Sequence, residues 1–271
     1  MTWSEMSPLL AQACWDTLYM VGWSTAIAVI AGLPLGIVLV LTDRGGLLGN
    51  AAVNKVLGQI VNITRSMPFI VLMVALMPFT KAITGTTIGR EGAIVPLAIG
   101  AIPFFARLVE TAVREVDGGL VEAVQSMGGS TWTVVRKVLV PESLPSLISS
   151  ATTTVVVLIG YSAMAGTVGA GGLGDIAIRY GHQRFETELM WVTVAILAVV
   201  ISIIQFAGDF AARGLHRRGR GGPAPRLRFL KAGPPSTVMG VGSAQTTLAE
   251  TADTRPAAQN SEAVGSPTRT P

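Results

Sequence analysis

Five stretches of the chain are long and apolar enough to cross a bilayer, and the polar residues gather between them. They run over about 17–41, 60–79, 92–109, 144–162 and 189–208. A spanning helix needs about 20 mostly apolar residues because the hydrocarbon core is about 30 Å thick. The first, fourth and fifth stretches hold no charged residue, and the uncharged run of the fourth continues to Gly174. The second and third are interrupted, by Arg65, Pro68 and Pro78 and by Pro96, Pro103 and Arg107. Prolines at such depth predict helices packed on protein or lining a cavity, since lipid cannot satisfy a freed carbonyl. The pattern predicts an all-α membrane protein of about five transmembrane helices.

No Lys or Arg precedes the first stretch, which is also too long for the apolar part of a signal peptide, so it is read as a span. Within it Gly32 and Gly36 form a G-x-x-x-G that permits close helix packing. Pro34 between them and the high glycine content leave a chance occurrence equally open. Arg65 is costly if it faces lipid. It reads either as an arginine snorkelling to the interface or as a structural or path residue.

Composition sharpens this picture. Hydrophobic residues make up 50% of the 271 and charged ones 13%, against about 25% charged in a soluble domain. The apolar excess lies in residues 1–215, read as the membrane domain. Residues 216–271 are first basic, then polar and low in complexity, and are read as a disordered tail that cannot bury enough surface to order itself. Seven basic residues crowd between Arg213 and Lys231. They are assigned to orientation and contact with anionic lipid rather than to nucleic acid. Lys and Arg elsewhere divide by side: Arg44, Lys55, Arg65, Arg107, Arg114, Arg136 and Lys137 in one set of segments, Lys81, Arg90, Arg179 and Arg184 in the other. The richer set is expected in the cytoplasm of a multi-pass membrane protein, with the amino terminus outside and the carboxyl terminus inside.

Several chemistries are excluded. One cysteine, Cys14, and two histidines, His182 and His216, predict neither a disulfide nor a metal site. The chain contains no Gly-Lys pair and therefore no P-loop, so no nucleotide cofactor is expected on it. Gly169-Ala170-Gly171-Gly172-Leu173-Gly174 formally fits G-x-G-x-x-G but follows a membrane span instead of a strand; it predicts a tight outer or re-entrant turn. Glu110, Glu115, Asp117, Glu122 and Glu142 have no companion nucleophile, so no catalytic residue is assigned.

Between the third and fourth spans lies a polar segment, 110–142. Leu120, Ala123, Val124 and Met127 fall on one helical face, with Glu122, Gln125 and Ser126 opposite. Gly128–Gly129 then stop the helix, because glycine adopts the left-handed C-terminal conformation readily. Such a helix either lies on the membrane or docks in a partner's groove. The residues Glu122-Ala123-Val124, three more, Gly128, nine more, then Val138-Leu139-Val140-Pro141 resemble the EAA loop of binding-protein-dependent ABC importer permeases, with conservative departures at Val124, Val138 and Val140. That resemblance implies a type I permease architecture whose loop, through Glu122, Ala123, Met127 and Gly128, inserts in a cleft of a separate ATPase subunit.

Further segments are similar to the methionine-uptake permease group: Asn62–Ile70, Pro78-Phe79-Thr80, Ile94–Leu97, Gly160–Gly166, Val168–Gly174 and Gln205–Asp209. The resemblance covers about 10–213. It implies a homodimer, two ATPase subunits that use ATP and Mg, and an extracytoplasmic substrate-binding protein delivering L-methionine, D-methionine being left open. Tyr161, Ser162 and Met164 are the candidate translocation path; Met164, between Ala163 and Ala165, suits a flexible apolar constriction, and an ordinary core or lipid-facing methionine is the plain alternative. The other readings kept open are the same permease for another amino acid or small nutrient, a passive channel, which needs no docking helix, and a membrane-integral enzyme, which needs a polar cluster at membrane depth.

Overall fold

The apolar stretches fold as helices, and every regular element among the described residues is helical. The structure is a computed structural model and describes residues 3–219; the tail assigned to disorder lies outside them from residue 220 onward. In chain order the helices are α1 (Trp3–Leu41), α2 (Ala51–Ser66), α3 (Phe69–Ala75), α4 (Met77–Thr84), α5 (Gly89–Arg114) and α6 (Gly118–Ser126). Then come α7 (Thr131–Gly166), with a π turn at Val135–Leu139, α8 (Gly172–Ile176), followed by a π turn at Ala177–His182, and α9 (Thr187–Gly219). Four of these, α1, α5, α7 and α9, are long and apolar enough to cross a membrane unbroken.

A fifth crossing exists only as a broken pair. The second apolar stretch reads as one run, but α2 and α3 meet at 104°. Pro68 is the reason. It has no N–H to donate and its ring disfavours a helical residue before it. Met67 accordingly takes an extended backbone, φ −79° and ψ 132°. Asn50 caps the start of α2 by accepting from the Val53 N–H at 3.2 Å, and Asn54 donates to the Leu39 carbonyl at 2.7 Å, tying α2 to the end of α1.

The most extensive helix pairing is that of α1 with α5. Gly32 and Gly36 make it possible. A Cβ on Gly36 would lie 2.5 Å from the Ala106 carbonyl oxygen and 2.6 Å from Val109 Cβ; one on Gly32 would lie 3.0 Å from the Ile102 oxygen. Real Cβ atoms do not approach that closely, so the G-x-x-x-G is a packing seam and not a chance pair. Phe105, Ala106 and Val109 are fully buried along it. Around this seam one core cluster joins Met20, Ala28, Phe69, Leu97, Leu158 and Ile159, and a second joins Leu41, Phe105, Val113, Val134, Leu139 and Leu147 nearer one end of the bundle.

Both spans flanking the polar segment run further into it than hydropathy suggests. Helix α5 continues to Arg114 because Glu110, only 5% exposed, is met by Arg107 at 2.6 Å and by Arg114 at 2.8 Å. A buried carboxylate is tolerable only when paired and hydrogen-bonded. Arg114 also reaches Asp43 at 2.7 Å, beyond the end of α1. Its guanidinium holds the Asp43 carboxyl below the usual carboxylate range, helped by the Arg44 backbone N–H. At its other flank α7 starts at Thr131, where Ser130 accepts from the Thr133 N–H at 3.3 Å. The π turn follows directly, just before Pro141, which lacks the N–H that a regular turn would use.

Two outcomes are expected from this packing. Gly36→Val forces an overpacked seam, typically costing about 1–3 kcal/mol, and lowers the melting temperature of the detergent-solubilised protein; Gly22→Ala, on the same helix with nothing near its Cβ position, leaves it unchanged. Asp43→Asn lowers the melting temperature at pH 7. Because the folded pKa of Asp43 is depressed, its contribution is fully present above the ordinary carboxylate pKa and lost as pH falls through the lowered value. The deficit of Asp43→Asn therefore shrinks on acidification, read as melting temperature against pH.

Candidate functional site

Helix α6 is nine residues between two tightly held ends. At its start Asp117 accepts from the Gly119 N–H at 2.8 Å. At its finish the Gly129 N–H donates to the Val124 carbonyl at 2.9 Å and the Gly128 N–H to that of Gln125 at 2.9 Å. Gly128 stands at φ +77°, a left-handed conformation that a branched residue reaches only with strain. Gly129 is required for a different reason: a Cβ there would meet Val124 Cγ1 at 2.5 Å. Both glycines singled out in the sequence thus fix the turn.

The apolar stripe divides in two. Val121 and Val124, with Val116, pack inward on the cluster of Val113, Val134, Val135 and Leu139. Leu120, Ala123 and Met127 remain outside, Leu120 at 44% and Met127 at 79% exposure, beside Trp132 at 69%. Glu122 and Gln125 are exposed on the same helix. The inward anchor is therefore Val121 with Val124, offset from the stripe expected from periodicity. What results is a short helix, capped at both ends, presenting Leu120, Ala123 and Met127 with a carboxylate at Glu122. Beside it a groove of about 480 Å³ is lined by Glu115, Asp117, Glu142 and Pro141, with Ser146 donating to Glu115 at 3.4 Å.

Behind this surface stands the ion network Asp43–Arg114–Glu110–Arg107, which sequence reading passed over by treating Glu110 as a loop residue. The signal was present: Arg107, Glu110 and Arg114 follow the i, i+3 and i+4 spacing of neighbours on one helix face. It connects the chain after α1 to the last turns of α5, immediately before α6 begins.

At the opposite end of the bundle the glycine-rich segment makes the expected turn, with Gly169, Gly171 and Gly172 all at positive φ. The Gly169 carbonyl accepts from the Gly89 N–H at 2.9 Å, and Thr17 Oγ1 accepts from the Leu173 N–H at 2.9 Å. Asp16 pairs with Arg90 at 2.9 Å, and that guanidinium lies 4.7 Å from the Tyr19 ring centroid. Helices α1, α5 and α8 are thereby joined at this end.

The three candidate path residues do not share one face. Tyr161 is half-buried and stacks on Phe69, with ring centroids 4.4 Å apart and planes 2° from parallel. Ser162 is buried and donates within its own helix to the Ile159 carbonyl at 2.8 Å. Met164 is 38% exposed. Tyr161 borders a cavity that it shares with Arg65 of α2.

Comparison with known proteins places this arrangement. The family described as the binding-protein-dependent transport system inner membrane component matches residues 32–221. A probable D-methionine transport system permease protein, MetI, of Vibrio cholerae is 55% identical over 212 residues, which is 78% of this chain and 94% of that protein. The methionine import system permease protein MetP of Bacillus subtilis is 44% identical over 209 residues, covering 77% and 94%. Among solved structures, a chain of the MetNI methionine ABC transporter in an inward-facing conformation is similar with a TM-score of 0.77 at 45% identity, over 79% of this chain and 99% of that one. A fold shared with an amino acid ABC transporter is visible at a TM-score of 0.61 and 19% identity. The helical membrane architecture, the capped loop helix and these matches lead to one conclusion: the chain belongs to the family of binding-protein-dependent transport system inner membrane components.

Proposed function

We propose that this chain is the permease subunit of an ATP-binding-cassette importer that carries methionine across the inner membrane, working as a homodimer. The observation that carries the reading is the exposed, doubly capped helix α6, whose Leu120, Ala123 and Met127 are presented outward on a protein that has no P-loop of its own. Apolar anchors at helical spacing fit a groove on a partner. The partner is an ATPase subunit, one for each copy of the permease, and ATP and Mg belong to that chain. The cargo rests on the methionine permeases and the methionine transporter to which the chain is similar. An extracytoplasmic binding protein delivers it to the end where Gly169–Leu173 and Arg90 lie, and lipid surrounds the exposed face of α9, where Trp191, Val199, Ile203 and Phe206 point outward.

In this reading the α6 end faces the cytoplasm and the amino terminus lies outside. Binding energy from the ATPase shifts the spans between two states only if the contacts differ between them. Helix α6 supplies such a contact, and its inward anchor Val121–Val124 passes displacement to α5 and α7. The Arg114 network makes the start of that lever stiff.

Two outcomes test this. Gly128→Asp places a charged side chain at φ +77°, costing about 1–2 kcal/mol in that conformation. Glu122→Arg reverses a charge that is fully accessible, removing a charge-assisted contact of about 1–3 kcal/mol if the partner buries it. Both are expected to cut methionine uptake at least tenfold and to lose the co-purifying ATPase, with membrane levels unchanged; wild-type uptake with the ATPase retained would refute the role of the loop. For the topology, single cysteines in a Cys14→Ser background are labelled in intact cells. Lys81→Cys is expected to react with an impermeant reagent and Gly118→Cys to be protected. The reverse pattern would overturn the orientation. Lys81 is preferred to Gly85, whose φ of +76° resists a side chain.

A further inference from the structure

Arg65 stands at the last turn of α2, immediately before the 104° break. Its guanidinium carbon lies 6.0 Å from the centroid of the Phe104 ring. Phe104 and Gly100 lie along α5, so the guanidinium is laid against the side of that apolar helix, while Arg65 is otherwise exposed on the single chain. Among the described residues no carboxylate pairs with it. An arginine set among apolar spans is costly without a counter-charge. The cavity it borders measures about 180 Å³ and is lined by Phe69, Leu72, Gly100, Phe104 and Tyr161. At about 30 Å³ per water in the liquid, that is room for about six waters, the size of one amino-acid side chain. Three aromatic rings line one small space beside an unpaired fork of donors.

We propose that this pocket is a cargo-binding site within the membrane domain, for a small molecule carrying a carboxylate and an unbranched apolar or thioether side chain. The inference rests on the methionine reading and deepens it. Arg65 receives the carboxylate, for which its planar fork is shaped to donate two parallel hydrogen bonds. The stacked Phe69–Tyr161 pair and Phe104 receive the side chain, whose sulfur is favoured against aromatic rings. The break at Pro68 is what turns the end of α2 toward α5 and α7, so the kink that interrupts the span also builds the site. The cargo carboxylate supplies the counter-charge that Arg65 lacks among the described residues.

Cells lacking their own methionine uptake, and supplied with this chain, its ATPase and its binding protein, give the test through uptake of radiolabelled L-methionine. Arg65→Gln is expected to lower uptake at least tenfold while the permease still reaches the membrane and holds the ATPase. Arg65→Lys, which keeps charge but loses the fork, raises KM and retains most of the maximal rate. Gly100→Leu tests the cavity independently. A Cβ at Gly100 meets Leu72 and Phe69 at an ordinary 3.5 Å, so the helix accepts it, and the longer side chain fills the pocket; it also lowers uptake at least tenfold, whereas Gly100→Ala stays within twofold. Gly100→Leu decides alone if Arg65→Gln fails to reach the membrane. Wild-type uptake by either Arg65→Gln or Gly100→Leu, or loss of assembly in both, overturns the pocket. Absence of uptake by the unaltered, assembled system overturns the methionine reading instead, and leaves these two failures distinguishable.

Discussion

Everything in the bundle is referred to the seam where α1 lies against α5. Two glycines one turn apart remove the side chains that would hold the helices apart, and the backbones close until Ala106 and Val109 occupy the space. In lipid there is no hydrophobic force between helices, so close van der Waals contact is what selects a partner. The contact also sets distances at both ends. It brings the turn after α1 within reach of Arg114 and, at the other end, Asp16 within reach of Arg90. Pairs so far apart in sequence form because the helices between them are locked in register.

The two ends are built differently. One is stitched by a backbone bond, a threonine cap and an ion pair, all of which tie α1, α5 and the glycine-rich turn together. The other carries a helix almost free of burial, held by its caps and preceded by the Arg107–Glu110–Arg114–Asp43 chain. A capped but uncovered element suits the docking role proposed for it, since a buried one would offer a partner no surface.

Much of this was legible beforehand. Apolar runs of membrane length dictate helices, since lipid leaves backbone groups no other way to be satisfied, and the Gly128–Gly129 stop announced the end of α6. The EAA-like spacing also pointed to the family to which the chain belongs. Less legible was the second span. A hydropathy window averages across Pro68 and sees one run, whereas the fold turns by 104° there. Glu110 was equally hidden, because a carboxylate reads as loop until the arginines three residues before it and four after it are seen to enclose it.

Periodicity, charge and glycine placement by themselves determined a helical membrane protein, the number of its apolar runs and the position of its loop helix. These are local properties, decided by how each segment meets lipid or water. Only the tertiary structure decided that Gly32–Gly36 is a seam, that Val121 and Val124 anchor the loop helix while Leu120, Ala123 and Met127 stay outside, and that Arg65, Phe69, Phe104 and Tyr161 border one open cavity. The reason is physical. Each of those depends on which helix lies opposite and at what angle, and a side chain's neighbours across a helix interface are set by packing between segments far apart in the chain, not by the residues beside it.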